Sequence, residues 1–141
     1  MQIIKSERNF YTYYTGDITT SDLTEDQLFV FGSNLAGIHG AGAAKFAHKE
    51  LAAAWGCGMG YTGGCYAIAT KDLRIKTLSL HLIEQQVMLF KKLAFEDVRF
   101  DYVVTKIGTG LAGYTDDEIA PMFKLAPDNC LFHKDWKEYL E

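Results

Sequence analysis

The sequence has no excess of positive charge and no long apolar run. Its 141 residues carry 14 Lys and Arg against 18 Asp and Glu, a formal net charge of −4. This overall charge gives no reason to expect binding to a nucleic-acid backbone or an anionic membrane, so any anion must be held locally. No uncharged stretch approaches the roughly 18 residues of a membrane span, and the first ten residues lack the apolar core of a signal peptide. We expect a soluble, cytoplasmic protein without membrane contact.

Cysteine is scarce, and internal repeats, low-complexity tracts and interior linkers are absent. The three cysteines, Cys57, Cys65 and Cys130, have no CxxC spacing, whereas an oxidised secreted scaffold normally carries an even set. We expect reduced thiols. Their spacing relative to His39 matches no zinc pattern, so neither a metal nor a cofactor is predicted. With 48% hydrophobic residues, the chain should fold as one domain spanning residues 1–141.

Strand-like and helix-like patterns alternate along the chain. The capping box of Thr115 and Glu118 marks the start of the last predicted helix. Such alternation predicts a three-layer α/β/α domain with a mixed, largely parallel central sheet. Strands are predicted at residues 10–14, 27–33, 65–70, 100–108 and 129–133, and helices at residues 41–55, 78–96 and 115–125.

Glycine is concentrated in three segments, at residues 31–47, 56–64 and 108–114. The middle segment, GCGMGYTGG, has five glycines in nine residues, which predicts a flexible loop or lid. The other two follow predicted strands, and parallel sheets bind ligands beyond the carboxyl ends of their strands. Free amides at the start of the helix after Gly40 and Gly42 favour a phosphate ligand there.

Two common phosphate-binding motifs do not fit these glycines. A Walker motif requires Gly-Lys-Ser/Thr, whereas Lys45 comes too late and has no hydroxyl neighbour. A dinucleotide fingerprint would require glycine at position 45 after Gly40 and Gly42. Neither ATP hydrolysis nor a Rossmann fold is therefore expected.

Three motifs, in order, resemble those of the macro domains, a family that binds ADP-ribose. They are GDIT (16–19), GSNLAGIHGAGAA (32–44) and IGTGLAGY (107–114). The resemblance covers roughly residues 16–126. It implies contacts to the adenine by Asp17 and Ile18, to the distal ribose by Asn34, to that ribose and the diphosphate by Gly40, Gly42 and Ala43, and to the diphosphate by Gly108, Thr109, Gly110, Leu111 and Ala112.

Two further residues of these loops are candidate ligand contacts. His39 lies within the first loop, where it either contacts the ligand or serves as a turn histidine. Tyr114 belongs to the loop that the resemblance places over the distal ribose.

Within the superfamily, ATK (69–71) and IGTGL (107–111) resemble the branch that contains the terminal ADP-ribose glycohydrolase and the DNA ADP-ribosyl glycohydrolase antitoxins. The resemblance implies that Lys71 is a catalytic lysine that engages the anomeric carbon of the distal ribose, which requires an uncharged amine. Ala44 and Ala112 stand where related hydrolases have aspartates, but the antitoxin-like members resemble GLAG (110–113) more closely, so catalysis need not require that carboxylate. Asp72, Asp116 and Asp117 are the alternative carboxylates, and the last two also fit the role of charges at a helix start.

The expected function is binding of ADP-ribose or a related nucleotide, with hydrolysis of ADP-ribosyl groups from protein or nucleic acid. One alternative is a non-catalytic module that binds or sequesters an ADP-ribose derivative. A phosphate-binding sheet protein for another nucleotide is the third interpretation, because FGSN (31–34) replaces the alanine-rich strand end that is usual in the family.

Overall fold

The structure, a computed structural model, describes residues 1–6 and 11–141. Four α-helices are assigned within these residues: α1 (Gly42–Glu50), α2 (Leu80–Glu96), α3 (Asp116–Ile119) and α4 (Lys137–Leu140). The strands are β1 (Gln2–Lys5), β2 (Thr12–Thr15), β3 (Gln27–Asn34), β4 (Gly60–Thr62), β5 (Cys65–Lys71), β6 (Asp101–Val104) and β7 (Cys130–His133).

The described strands form one sheet in the order β1-β2-β7-β6-β3-β5-β4. Strands β2, β7, β6, β3 and β5 are parallel to their neighbours in this series, whereas β1 and β4 are antiparallel edge strands. The predicted mixed, largely parallel sheet is therefore confirmed. Because the central strands are parallel, their carboxyl ends meet at one edge of the sheet, where ligands of such folds bind.

The two faces of the sheet pack against different helices. Ala44 and Ala47 of α1 share a buried cluster with Phe29 and Phe31 of β3. The intervening Val30 belongs to the cluster on the opposite face, since successive strand residues point to opposite sides. This second cluster also contains the buried α2 residues Ile83, Val87, Phe90 and Ala94.

Helix α1 ends well before Trp55, so the prediction of a helix over residues 41–55 holds only for its first part. Ala52 has a positive φ of 64°, which breaks the helical path. The following hairpin holds this turn in place: Gly64 N donates to Leu51 O at 2.9 Å, and Ala54 N donates to Thr62 Oγ1 at 2.7 Å. These tertiary contacts override the helix propensity of the alanines.

The prediction of a loop or lid over residues 56–64 is wrong for residues 60–62, which form β4. This strand pairs antiparallel with β5, with Tyr61 opposite Tyr66. Gly63, at a φ of +56°, makes the turn between the two strands. The glycines therefore build a hairpin at the sheet edge.

Four other predicted elements differ in extent. The capping box at Thr115 is present, but α3 covers only residues 116–119 and continues as a 3-10 turn over residues 120–123. Pro121 lacks the amide hydrogen that a longer helix would need there. Helix α2 begins at Leu80 because Ser79 caps it, accepting from Leu82 N at 3.3 Å. Strand β6 ends at Val104, and the predicted strand over residues 10–14 includes Phe10, which lies outside the described residues.

All three cysteines are unpaired; Cys65 and Cys130 are buried and Cys57 is partly exposed. Among the residues that the structure describes, no cluster of His, Cys, Asp and Glu is suited to a metal ion. None of the helices described has both the length and the apolar character needed to cross a bilayer.

Candidate functional site

A cavity of about 520 Å³ opens at the carboxyl ends of β3, β5 and β6. Its walls are these strand ends, the start of α1 and the loop that follows β6. The cavity brings together most of the predicted site residues: Asn34, Gly40, Gly42, Ala43, Lys71, Gly108, Thr109, Gly110, Leu111 and Ala112.

Asn34 organises the first glycine loop, residues 35–41, which connects β3 to α1. Its side-chain Nδ2 donates to Ile38 O at 2.8 Å, and its Oδ1 accepts from Ile38 N at 3.0 Å. Gly37 N also donates to the Asn34 carbonyl at 2.9 Å. The carboxamide therefore uses one N–H and one oxygen lone pair to hold the loop, and one N–H and one lone pair remain available to a ligand.

The start of α1 presents unpaired backbone amides to the cavity. Ala41 is the N-cap residue and its side chain makes no capping hydrogen bond. The first amides of an α-helix have no partner inside the helix, so Gly42, Ala43 and Ala44, which line the cavity, can donate to an anion. A Cβ atom at Gly40 or Gly42 would meet nothing within 4 Å. These two glycines therefore border open space.

The second glycine loop, residues 108–114, follows β6 and is held by hydrogen bonds from both sides. Tyr114 N donates to Gly108 O at 3.0 Å, and Gly108 has a φ of +75° that favours glycine. The Tyr114 hydroxyl donates to Leu78 O at 2.7 Å, while Thr77 Oγ1 donates to Ala112 O at 3.0 Å. Tyr114 is thus a support of the loop and does not line the cavity.

Lys71 is the last residue of β5 and lies opposite Asn34 of β3, just beyond a register shift between Ser33 and Asn34. It lines the cavity, and its backbone carbonyl accepts from Leu35 N at 2.9 Å. Within residues 1–6 and 11–141, no carboxylate lies within ion-pair distance of its ammonium group.

The three aspartates considered as substitutes for the missing carboxylate do not line the cavity. Asp72 Oδ1 accepts from Arg74 N at 2.8 Å and from Lys76 N at 3.0 Å, and these backbone hydrogen bonds lower the pKa of the Asp72 carboxyl. Asp72 thus stabilises the turn after β5. Asp116 accepts from Trp136, and Asp117 accepts from Thr115 at the start of α3.

Lys106 is a second lysine in the cavity wall that the sequence analysis missed. Its ammonium lies 3.2 Å from Asp116 Oδ2 and 3.3 Å from Asp135 Oδ2. Partial burial opposes its charge, but the hydrogen bonds and the attraction of the two carboxylates raise the pKa of Lys106. A signal was present in the sequence: Thr105-Lys106 after β6 repeats the Thr70-Lys71 pair at the end of β5.

Besides Tyr114, three of the predicted ligand contacts do not line the cavity: Asp17, Ile18 and His39. Asp17 is exposed and follows β2, which is separated from β3 by β7 and β6, and Ile18 packs against buried clusters. His39 is buried beneath the first loop. Its Nε2 lies 2.9 Å from Ala54 O, and its Nδ1 lies 3.4 Å from Ser33 Oγ. Since a carbonyl can only accept, Nε2 donates to Ala54 O.

The cavity wall contains both hydroxyl groups and aliphatic side chains. Thr70, Thr105 and Thr109 each donate their hydroxyl hydrogen to a backbone carbonyl, at 3.2, 2.8 and 2.7 Å. Their oxygens can therefore only accept from a ligand. At the mouth, three exposed aliphatic side chains from different segments surround the opening: Ile38, Ile75 and Leu111.

No protein-family model matches the chain, and no curated protein sequence matches it.

Proposed function

We propose that the cavity binds ADP-ribose or a related nucleotide and that Lys71 removes ADP-ribosyl groups from a macromolecule. One observation carries the proposal: the amides of α1, the second glycine loop and Lys71 converge in a single cavity at the carboxyl edge of the parallel strands. Amides and a helix dipole hold a phosphate without a basic surface, in agreement with the acidic composition.

The hydroxyl-bearing side chains fit the sugar of such a ligand. A ribose carries hydroxyl groups that donate hydrogen bonds, and Thr70, Thr105 and Thr109 offer oxygen acceptors because their own hydrogens are used internally. The phosphate then takes the backbone N–H groups, so the two kinds of ligand group have separate partners.

Lys71 supplies the chemistry in this proposal. An uncharged Lys71 amine attacks the anomeric carbon, and the glycosidic bond breaks with its electron pair leaving on the macromolecule, which takes up a proton. Water then attacks the same carbon, and the bond to Lys71 breaks with its electron pair returning to the lysine nitrogen. The nitrogen takes up the proton released by the water, and free ADP-ribose leaves. No carboxylate within the described residues forms an ion pair with Lys71, so its nitrogen is not engaged by an acidic side chain there.

A second candidate is a binding module without catalysis. Among the described residues that line the cavity none is Asp or Glu, so this part of the chain places no carboxylate there to activate water. Calorimetry with ADP-ribose, AMP and NAD tests the binding that both candidates share. Incubation with ADP-ribosylated DNA and with ADP-ribosylated protein separates them, since only the hydrolase releases ADP-ribose.

Gly40→Val is expected to weaken ADP-ribose binding at least about tenfold, because the added side chain would occupy ligand space. Gly40 is the suitable position because it has no left-handed φ, whereas Gly42, with a φ of +57°, would also be strained by substitution. Gly40→Ala is the matched control and should bind more tightly than Gly40→Val. Wild-type affinity in Gly40→Val, measured by calorimetry, would place the ligand elsewhere.

Asp17→Ala tests whether the ligand extends from the cavity towards β2. Loss of a charge-assisted hydrogen bond to the adenine should cost roughly 1.5 to 3 kcal/mol, about tenfold or more in ADP-ribose affinity. Ribose 5-phosphate has no adenine, so its affinity should not change. Equal ADP-ribose affinities of variant and wild type would restrict the ligand to the cavity itself.

A further inference from the structure

We infer that Lys106 is a positioning residue, whose ion pairs clamp the second glycine loop to the C-terminal segment and so set the geometry of the anion site. Its effect on ligand affinity rests on the proposed function, whereas its effect on the loop does not. Lys106 lines the cavity, yet its ammonium group forms ion pairs with the carboxylates of Asp116 and Asp135, which do not line it.

The clamp joins three separate segments of the chain. Lys106 follows β6, Asp116 begins α3, and Asp135 lies in the 3-10 turn after β7. Lys106 and Asp116 flank the second glycine loop, so their 3.2 Å ion pair closes the loop at its base. The 3.3 Å contact with Asp135 ties this base to the neighbouring strand end.

The carboxylate of Asp116 is itself fixed by the core. Trp136 Nε1 donates to Asp116 Oδ1 at 2.9 Å. Trp136 is fully buried, with its ring 5.4 Å from that of Phe123 and 6.3 Å from that of Phe132, measured between centroids. A rigid aromatic cluster therefore determines where the Asp116 oxygens lie, and hence where the Lys106 side chain is held.

The backbone of Lys106 transmits this position to the loop. Its carbonyl accepts from Thr109 Oγ1 at 2.7 Å and from Thr109 N at 3.4 Å, which closes the turn that contains Gly108. Gly108 and Gly110 line the cavity, and in the proposed function their backbone amides donate to the phosphate. Their directions therefore depend on the residue that the two carboxylates hold.

The local charge argues against direct capture of a phosphate by Lys106. One ammonium stands against the two carboxylates of Asp116 and Asp135, so the trio carries a net charge of about −1 at neutral pH. An anion would have to compete with both carboxylates for the same ammonium. Lys71 has no carboxylate partner within the described chain, so an anion would meet no such competition at its ammonium group.

Hydrogen exchange on the free protein tests the clamp without any ligand. Lys106→Met and Asp135→Asn should each speed exchange of the Thr109, Gly113 and Tyr114 amides several-fold, because the hydrogen bonds that these amides make within the loop open more often when its base is released. Lys106→Arg should retain slow exchange, since a guanidinium can contact both carboxylates. Asp128→Asn is the charge-matched control at the opposite edge of the sheet. Wild-type exchange in Lys106→Met and Asp135→Asn would overturn the inference.

ADP-ribose titrations of the same variants separate positioning from direct binding. If Lys106 acts through the loop, Asp135→Asn weakens binding, as Lys106→Met does. If its ammonium binds the phosphate directly, removing a competing carboxylate makes Asp135→Asn bind more tightly, and that result would overturn the inference. Asp135 is 58% exposed, so its variant should fold. A wild-type protein that binds no ADP-ribose would reject the proposed function alone, because the exchange data still decide whether the clamp exists.

Discussion

Lys71→Ala is expected to lower the rate of ADP-ribose release by at least about a hundredfold, while ADP-ribose still binds. The amides of α1 and of the second glycine loop lie on other segments, so binding of the diphosphate does not require the lysine. Release should be followed with ADP-ribosylated DNA and ADP-ribosylated protein, and binding by calorimetry on the same preparations.

Lys71→Arg serves as the charge-matched control for this experiment. A guanidinium keeps the positive charge but does not give up a proton at accessible pH, so it cannot supply a nucleophilic lone pair. The arginine variant should therefore be as inactive as the alanine variant. Release at the wild-type rate by Lys71→Ala would exclude the lysine mechanism, and no release by any of the proteins would favour the binding module.

Gly37→Ala is expected to reduce the free energy of unfolding by about 3 kcal/mol or more, because left-handed strain and overpacking coincide there. Gly37 has a φ of +68°, and an added Cβ would overlap the carbonyl carbon of Gly56 and lie 2.5 Å from Cys57 N. Both of these are backbone atoms, which cannot rotate away as a side chain would.

Urea denaturation of Gly37→Ala against Gly40→Ala provides the measurement. Gly40 belongs to the same loop, but its added methyl group would meet nothing within 4 Å, and its φ is not left-handed. The control should therefore be as stable as the wild type, or slightly more stable because its unfolded chain has less freedom. Equal stabilities of the two variants would mean that the loop at residue 37 is not packed against residues 56–57.

Glycine is thus required for two different reasons within residues 31–47, and the sequence alone does not distinguish them. Gly40 and Gly42 border open cavity, as a ligand site requires. Residue 37 must be glycine because the backbone of Gly56 and Cys57 approaches it closely. The same holds for Gly58, whose added Cβ would overlap the carbonyl of Asn34. The sequence predicted a ligand at Gly40 and Gly42 but offered no reason for Gly37, because residues 56–57, which pack against it, are distant in sequence.

The central strands could be predicted because strands buried on both faces leave continuous apolar runs, as in β3 and β5. The end of α1 could not, because the hydrogen bond from Gly64 to Leu51 depends on how the hairpin docks. Part of the site could not be predicted either, because it also depends on contacts between distant segments. Lys71 and Lys106 both follow a threonine at a strand end, but only the fold brings Asp135 to Lys106.

The unequal burial of the three cysteines makes the native chain a selective target for thiol labelling. Burial raises the pKa of Cys65 to about 12 and also raises that of Cys130, so both remain buried, protonated thiols at neutral pH. Thiol reagents attack thiolates that solvent can reach. Cys57 is partly exposed and its backbone lies against Gly37, so a maleimide fluorophore attached there would report on the first glycine loop without any substitution.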